Sequence, residues 1–150
     1  MHNLSRRNAV RLVLLVAASL FAMSIPSVAA ESAPLAIKGY DPVAYFTVGS
    51  PVRGLSKIEY EWDEHSYRFS RPEHRELFKA DPVRYAPQFE GLCAISLSRG
   101  AIVEANPEYW LISEGKLYLF GGPEGPKRFQ QDVAQNVAKA TENRARTLKR

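Results

Sequence analysis

Cysteine is nearly absent from this chain of 150 residues, which holds one, Cys93. A single thiol closes no internal disulfide, so stability must come from a packed core or from assembly. Histidine is scarce too, and no CxxC, HxxxH or comparable ligand spacing occurs, which leaves no ready-made tetrahedral metal centre. There is no GxSxG turn, and Gly121-Gly122-Pro123 lacks the lysine and following helix amides of a phosphate loop. Hydrolase and nucleotide chemistry are thereby set aside. Glu59 and Glu61 share one strand face but alternate with apolar residues, as solvated rather than catalytic acids do. No apolar run reaches the roughly 20 residues of a membrane-spanning helix, and no internal repeat or low-complexity tract is legible.

What is present begins with an address. Arg6, Arg7 and Arg11 stand without any acid, residues 12–23 are an apolar run, and Ser27-Val28-Ala29-Ala30 offers small residues for cleavage. This is the pattern of a signal peptide over residues 1–30, cut near Ala29 and Ala30, with an uncleaved anchor as the alternative. Arg6-Arg7 also resembles a twin-arginine export signal, although Ala9 stands where that signal has a bulky residue. Both export routes stay open, and either makes the mature protein periplasmic or secreted. Without the leader, 17 basic residues face 16 acidic ones. Residues 126–150 hold seven of those basic residues and two acids, so a basic tail follows an acidic body. Such a tail is a solvated helix end or a contact with an anionic surface. Membrane contact is expected only through the leader or this tail, and the acidic body speaks against nucleic acid.

Along the mature chain, residues 31–34 read as a linker and 35–38 as a strand ended by Gly39-Tyr40-Asp41-Pro42. Residues 58–62 alternate with period two, placing Ile58, Tyr60 and Trp62 on one face; Asp63-Glu64-His65 turns and 66–69 returns as a hairpin. Ser70 suits a helix cap and Pro72 the first turn of a helix running to about Ala80, with His74, Leu77 and Phe78 inward. A short helical turn follows at 83–85. Residues 91–98 read as a buried strand with Leu92, Ala94 and Ile95 in the core. Residues 109–112 and 116–120 flank Glu114-Gly115 as a second hairpin. Phe129, Val133, Val137 and Ala140 form the stripe of one C-terminal helix, fraying past Thr141. The expected fold is α+β: a small single domain of short antiparallel hairpins with one central helix and a C-terminal helix.

Candidate metal or ligand contacts are His65, His74, Cys93 and the acids Asp41, Asp63 and Glu64. Against that, His74 could be a helix residue bonded to nearby backbone, His65 an exposed turn residue and Cys93 a small buried apolar one. As a nucleophile Cys93 would need a cation beside it, which Arg71, Arg75 or His74 could supply.

Two stretches, GYDPVAYF at 39–46 and YRFSRPEHRELFKADPVRYAPQFEGLCA at 67–94, resemble the YHS domain, whose metal-binding members carry DPVCGM-like and FCSxxC-like segments. The three cysteine positions of that pattern fall on Ala44, Ser70 and His74, of which only His74 is a good metal ligand. The run 87–94 is similar to the PQxGGxCA of a secreted bacterial branch, some of whose members carry selenocysteine, with Glu90 here in place of its first Gly. The resemblance implies a YHS-like domain over 35–125, and the apolar stripe and charge count make residues 126–150 a basic amphipathic helix and tail. It implies an exported binding module for a small ligand, a transition-metal ion or a partner protein. The alternatives are a thiol-dependent redox protein using Cys93 and an envelope structural or interaction protein.

Overall fold

Tyr67, Phe69 and Phe78 are spaced two and nine apart, and the same spacing returns 51 residues later at Tyr118, Phe120 and Phe129. In the computed structural model, which describes residues 32–149, this spacing marks a unit that is built twice. Each copy opens with a tight left-handed turn, Ala36–Gly39 and then Gln88–Gly91, and continues into a short helix, α1 (Ala44–Thr47) and then α4 (Ala94–Ser98). Each then forms a hairpin of an eight-residue and a five-residue strand: β1 (Leu55–Trp62) with β2 (His65–Phe69), and β3 (Asn106–Ser113) with β4 (Lys116–Phe120). Each closes with a helix, α2 (Pro72–Ala80) or α5 (Gly125–Gln130). Between the copies lies α3 (Pro82–Tyr85), and after them comes α6 (Val133–Thr147).

The correspondence reaches individual bonds. The amide of Asp41 donates to Val52 O at 2.8 Å and that of Cys93 to Val103 O at 2.8 Å; Gly54 N donates to Gly39 O and Ala105 N to Gly91 O. Both hairpins slip register at the same place, between Leu55 and Glu59 and between Asn106 and Trp110. The rings repeat too: Phe69 and Phe78 lie 5.3 Å apart, Phe120 and Phe129 5.4 Å, Tyr67 and Phe78 4.7 Å, Tyr118 and Phe129 4.9 Å. The expected absence of a repeat is therefore corrected.

One strand joins the two cores. Leu117 and Leu119 of β4 pack with Tyr67, Phe69 and Phe78, whereas Tyr118 and Phe120 pack with Phe129, Ala94 and Cys93. Because alternate side chains point to opposite faces, a strand apolar at consecutive positions, as from Leu117 to Phe120, can wall two cores at once. Burial also pushes the Tyr67 hydroxyl up to about 12, helped by the negative charges of Asp63 and Glu90, and raises Tyr45 further still.

The α+β architecture and both hairpins agree with the sequence. The strand expected at 35–38 is instead the first left-handed turn, with Ile37 at φ 39°, Lys38 at 53° and Gly39 at 79°. Left-handed backbone cannot continue a ladder, so Leu35 pairs with Ser66 alone. Residues 91–98 hold α4 rather than a strand: Phe89, Glu90 and Gly91 repeat the left-handed triplet at 59°, 55° and 79°. Glu90 thus occupies a conformation that favours Gly, the residue in the similar PQxGGxCA run. In α2, Phe78 is buried but Leu77 is exposed. The C-terminal stripe spans two helices, because Asp132 breaks it and accepts a hydrogen bond from Gln135 N as the cap of α6. Nor does the chain fray at Thr141: Asn143 donates to the Leu97 and Ser98 carbonyls and ties α6 to the end of α4. Among the described residues no helix is long and apolar enough to cross a membrane.

Gly125 shows how closely the second copy is packed. A Cβ there would sit 2.5 Å from Phe120 Cβ and 2.7 Å from its Cγ, so Gly125→Ala must displace a buried ring. Overpacking of this kind costs about 1–3 kcal/mol, and chemical denaturation should show that loss with the slope unchanged.

Candidate functional site

Asp41 follows the first left-handed turn and is fully buried, as is a carboxylate only when its charge is answered. One oxygen, Oδ1, accepts from Val43 N at 2.9 Å and Ala44 N at 3.3 Å. The other, Oδ2, accepts from Ser70 N at 2.8 Å, Ser70 Oγ at 2.6 Å and His74 Nδ1 at 2.6 Å. His74, projecting inward from the first turn of α2, is 4 % exposed, and its Nε2 lies 3.1 Å from Thr47 Oγ1. That hydroxyl also lies 3.1 Å from Val43 O, to which it can donate. Asp41 therefore ties the start of α1, the end of β2 and the start of α2 into one knot.

Sequence reasoning names Asp41 and His74, and the fold brings them together. It assigns Ser70 to a helix cap, but the cap position is Arg71, without a side-chain cap bond, and Ser70 donates to Asp41 instead. Thr47 was missed; its only signal is a hydroxyl on the helix that follows Asp41. Both ring nitrogens of His74 are already engaged, and among the described residues no three His, Cys, Asp or Glu side chains are grouped to hold a metal ion. Ala44, at a cysteine position of the YHS pattern, is buried and offers no donor. His65 lies on β2 rather than in the turn, half-buried, its Nδ1 2.9 Å from Asp63 O. It joins neither Asp41 nor Cys93.

Cys93 belongs to the other core. By the bond to Val103 it is the counterpart of Asp41; with the 51-residue shift, Gly121 is the counterpart of Ser70 and Gly125 of His74. Where the first copy places a carboxylate, a hydroxyl and an imidazole, the second places one thiol and two residues without side chains. Beside the thiol lies a cavity of about 290 Å³ lined by Cys93, Ser96, Arg99, Gly121, Glu124 and Arg128, among others. The Cys93 side chain is 3 % exposed, and Ser96 Oγ donates to Sγ at 3.1 Å. None of the expected activators is its partner: His74 is bound to Asp41 and Arg75 to Glu76. The cations at this cavity are Arg99 and Arg128, on α4's exit and on α5.

Residues 126–150 carry little free charge display on their inner side. Phe129 and Ala140 are fully buried, and Arg144 pairs with Glu90 across to the second left-handed turn. The exposed pairs Arg68–Glu59 and Arg146–Glu142 are of the surface kind that contributes about 0–1 kcal/mol. The leader residues Arg6, Arg7, Ala29 and Ala30 lie outside the described residues.

Comparison with protein-family models, with curated proteins and with solved structures finds no match to this chain.

Proposed function

We propose that this chain is an exported, YHS-like binding module without catalysis of its own, and that the cavity at Cys93 is its seat for a small ligand. The observation that carries the reading is the contrast between the two copies. The chain closes the first copy with Asp41, Ser70 and His74. At the matching place in the second, Gly121 carries no side chain over the thiol, and a cavity of about 290 Å³ borders both. That volume suits a ligand of a few heavy atoms, near the lower end of small-molecule sites. Two cations, Arg99 and Arg128, and one acid, Glu124, line it, and the net positive charge favours an anionic group. A transition-metal ion is the weaker form of the proposal, since the family's ligand positions hold Ala44, Ser70 and His74, and His74 is spent on Asp41. Export rests on the leader pattern of residues 1–30.

The test is a titration of the purified protein with small carboxylates, phosphate, copper, zinc and iron, followed by amide NMR and melting temperature. A ligand present at a hundred times its dissociation constant adds about 2.7 kcal/mol of stability. Shifts centred on Ser96, Arg99, Gly121 and Arg128 are expected, and they should vanish in Gly121→Leu, whose side chain fills the space. Binding at another surface, or binding that survives Gly121→Leu, would overturn the assignment. The second reading, a thiol-dependent redox protein, is favoured by Cys93 lining the cavity. Turnover of a disulfide substrate that is lost in Cys93→Ser would establish it.

A further inference from the structure

The first hairpin meets the second left-handed turn at a cavity of about 270 Å³, which shares no lining residue with the cavity at Cys93. Aromatic rings form much of its wall. Trp62 and Tyr67 of the hairpin stand with centroids 6.2 Å apart and planes at 53°, and Phe89 comes from the turn. Trp62 and Phe89 are only partly buried, so ring surface is left uncovered at this joint between the copies. The charged side chains on the same wall are Asp63, Glu90 and Arg144, and the remaining titratable ones are His65 and Tyr67. Glu90 is spent on Arg144, and His65 Nδ1 lies on the Asp63 carbonyl. Asp63 takes part in none of the ion pairs among the described residues, so the unbalanced charge here is negative.

Tyr67 supplies an independent observation. It is 4 % exposed and its hydroxyl meets no hydrogen-bond partner among the described residues, yet the one fully enclosed side-chain polar atom without a partner there is Arg144 Nε. The Tyr67 oxygen therefore keeps an outlet, and the cavity that this residue lines is that outlet. The potential at that oxygen is negative: burial raises the hydroxyl first, and the carboxylates of Asp63 and Glu90 raise it further. Uncovered rings, an unspent oxygen lone pair and an unpaired carboxylate all suit a cation.

We propose that this cavity is a binding site for a small organic ammonium ion, held against the rings of Trp62, Tyr67 and Phe89 and facing the Asp63 carboxylate. An alkylated nitrogen spreads its charge over carbon that packs on rings, and it needs none of the six or more oxygen ligands that a hard metal cation gathers. Arg144 does not oppose it, because Glu90 offsets the guanidinium. The site is independent of the anion-favouring cavity at Cys93, and the two are read at different amides.

The experiment titrates the purified protein with tetramethylammonium chloride, with tert-butanol, which has similar bulk without the charge, and with sodium acetate, followed by amide and indole NMR. Tetramethylammonium alone should bind saturably, with shifts centred on Trp62, Asp63, His65 and Phe89, and Gly121→Leu should leave that binding unchanged. Phe89→Leu should weaken it about 2- to 30-fold, the worth of one cation–π contact. Asp63→Asn should weaken it as well, and asparagine suits the positive φ of that position. Equal binding of tert-butanol, a preference for acetate, or shifts that do not saturate would overturn the proposal. So would an Asp63→Asn protein that binds as the unaltered one does. The three probes are compared on the unaltered chain, so a variant that fails to fold does not remove the test.

Discussion

Asp41→Ala is expected to cost about 3–5 kcal/mol, since several buried donors lose their acceptor at about 1–3 kcal/mol for each group left unsatisfied, and urea or guanidinium unfolding will read it. The argument is one of stranded donors. The carboxylate accepts from the amides of Val43, Ala44 and Ser70, from the Ser70 hydroxyl and from His74. Its removal leaves these groups without an acceptor in a place water does not reach, and each unsatisfied buried group costs about 1–3 kcal/mol. Whole domains are stable by only about 5–15 kcal/mol, so the variant should sit near the edge of folding. Asp41→Asn should fail nearly as badly, because its amide nitrogen would turn a donor toward donors. His74→Phe is the informative contrast. It removes one donor to Asp41 and leaves the carboxylate with the amide and Ser70 donors, so it should cost about 1–3 kcal/mol, less than Asp41→Ala. If Asp41→Ala loses under about 1 kcal/mol, the knot is not what holds α1, β2 and α2 together.

That knot was half legible in the sequence. The Asp-Pro turn and an inward histidine on a helical stripe are local signals, and they identified Asp41 and His74. Ser70 was placed correctly in the chain but given the wrong partner, since a serine before Pro72 suits a helix cap and nothing local announces an acid 29 residues upstream. The hairpins were legible because period-two alternation and a turn glycine are short-range patterns. The two left-handed turns were not. Ile37, Lys38, Phe89 and Glu90 adopt positive φ against their own preference, held there by the Gly54 and Ala105 amides bound to Gly39 and Gly91. Tertiary bonds of that sort have no signature in residue type. They turned two expected strands, at 35–38 and 91–98, into turns followed by helices.

The duplication hid for a related reason. Its shared residues are scattered: Gly49, Val52, Tyr67, Phe69, Pro72, Glu73, Phe78 and Asp81 recur 51 residues later as Gly100, Val103, Tyr118, Phe120, Pro123, Glu124, Phe129 and Asp132, and Gly39 recurs as Gly91. The positions that give each copy its chemistry are those that differ most, Asp41 against Cys93, Ser70 against Gly121 and His74 against Gly125. A search for repeated motifs is drawn to chemistry-bearing residues, and here they have diverged, whereas the aromatic spacing that survived reads as ordinary core.

Phe78→Ala and Phe129→Ala should therefore behave as a matched pair. Both rings are fully buried and stack on a Tyr and a Phe of the preceding strand at nearly equal distances. Truncating a buried Phe to Ala costs about 3–5 kcal/mol through lost burial and the cavity left behind. Phe78 also meets the rings of Tyr60 and Trp62, so its loss should be the larger of the two. The stronger expectation concerns cooperativity. Because β4 sends Leu117 and Leu119 into one core and Tyr118 and Phe120 into the other, neither copy can release that strand and leave its neighbour intact. Each variant should then unfold in a single transition, with coincident fluorescence and circular-dichroism curves and the slope of the unaltered protein. A separate early transition in Phe129→Ala, with the first hairpin still protected from hydrogen exchange, would mean that the copies fold independently and that β4 belongs to the second alone. One transition in both variants would make the shared strand the reason that two small units, each too slight to be stable by itself, form one domain.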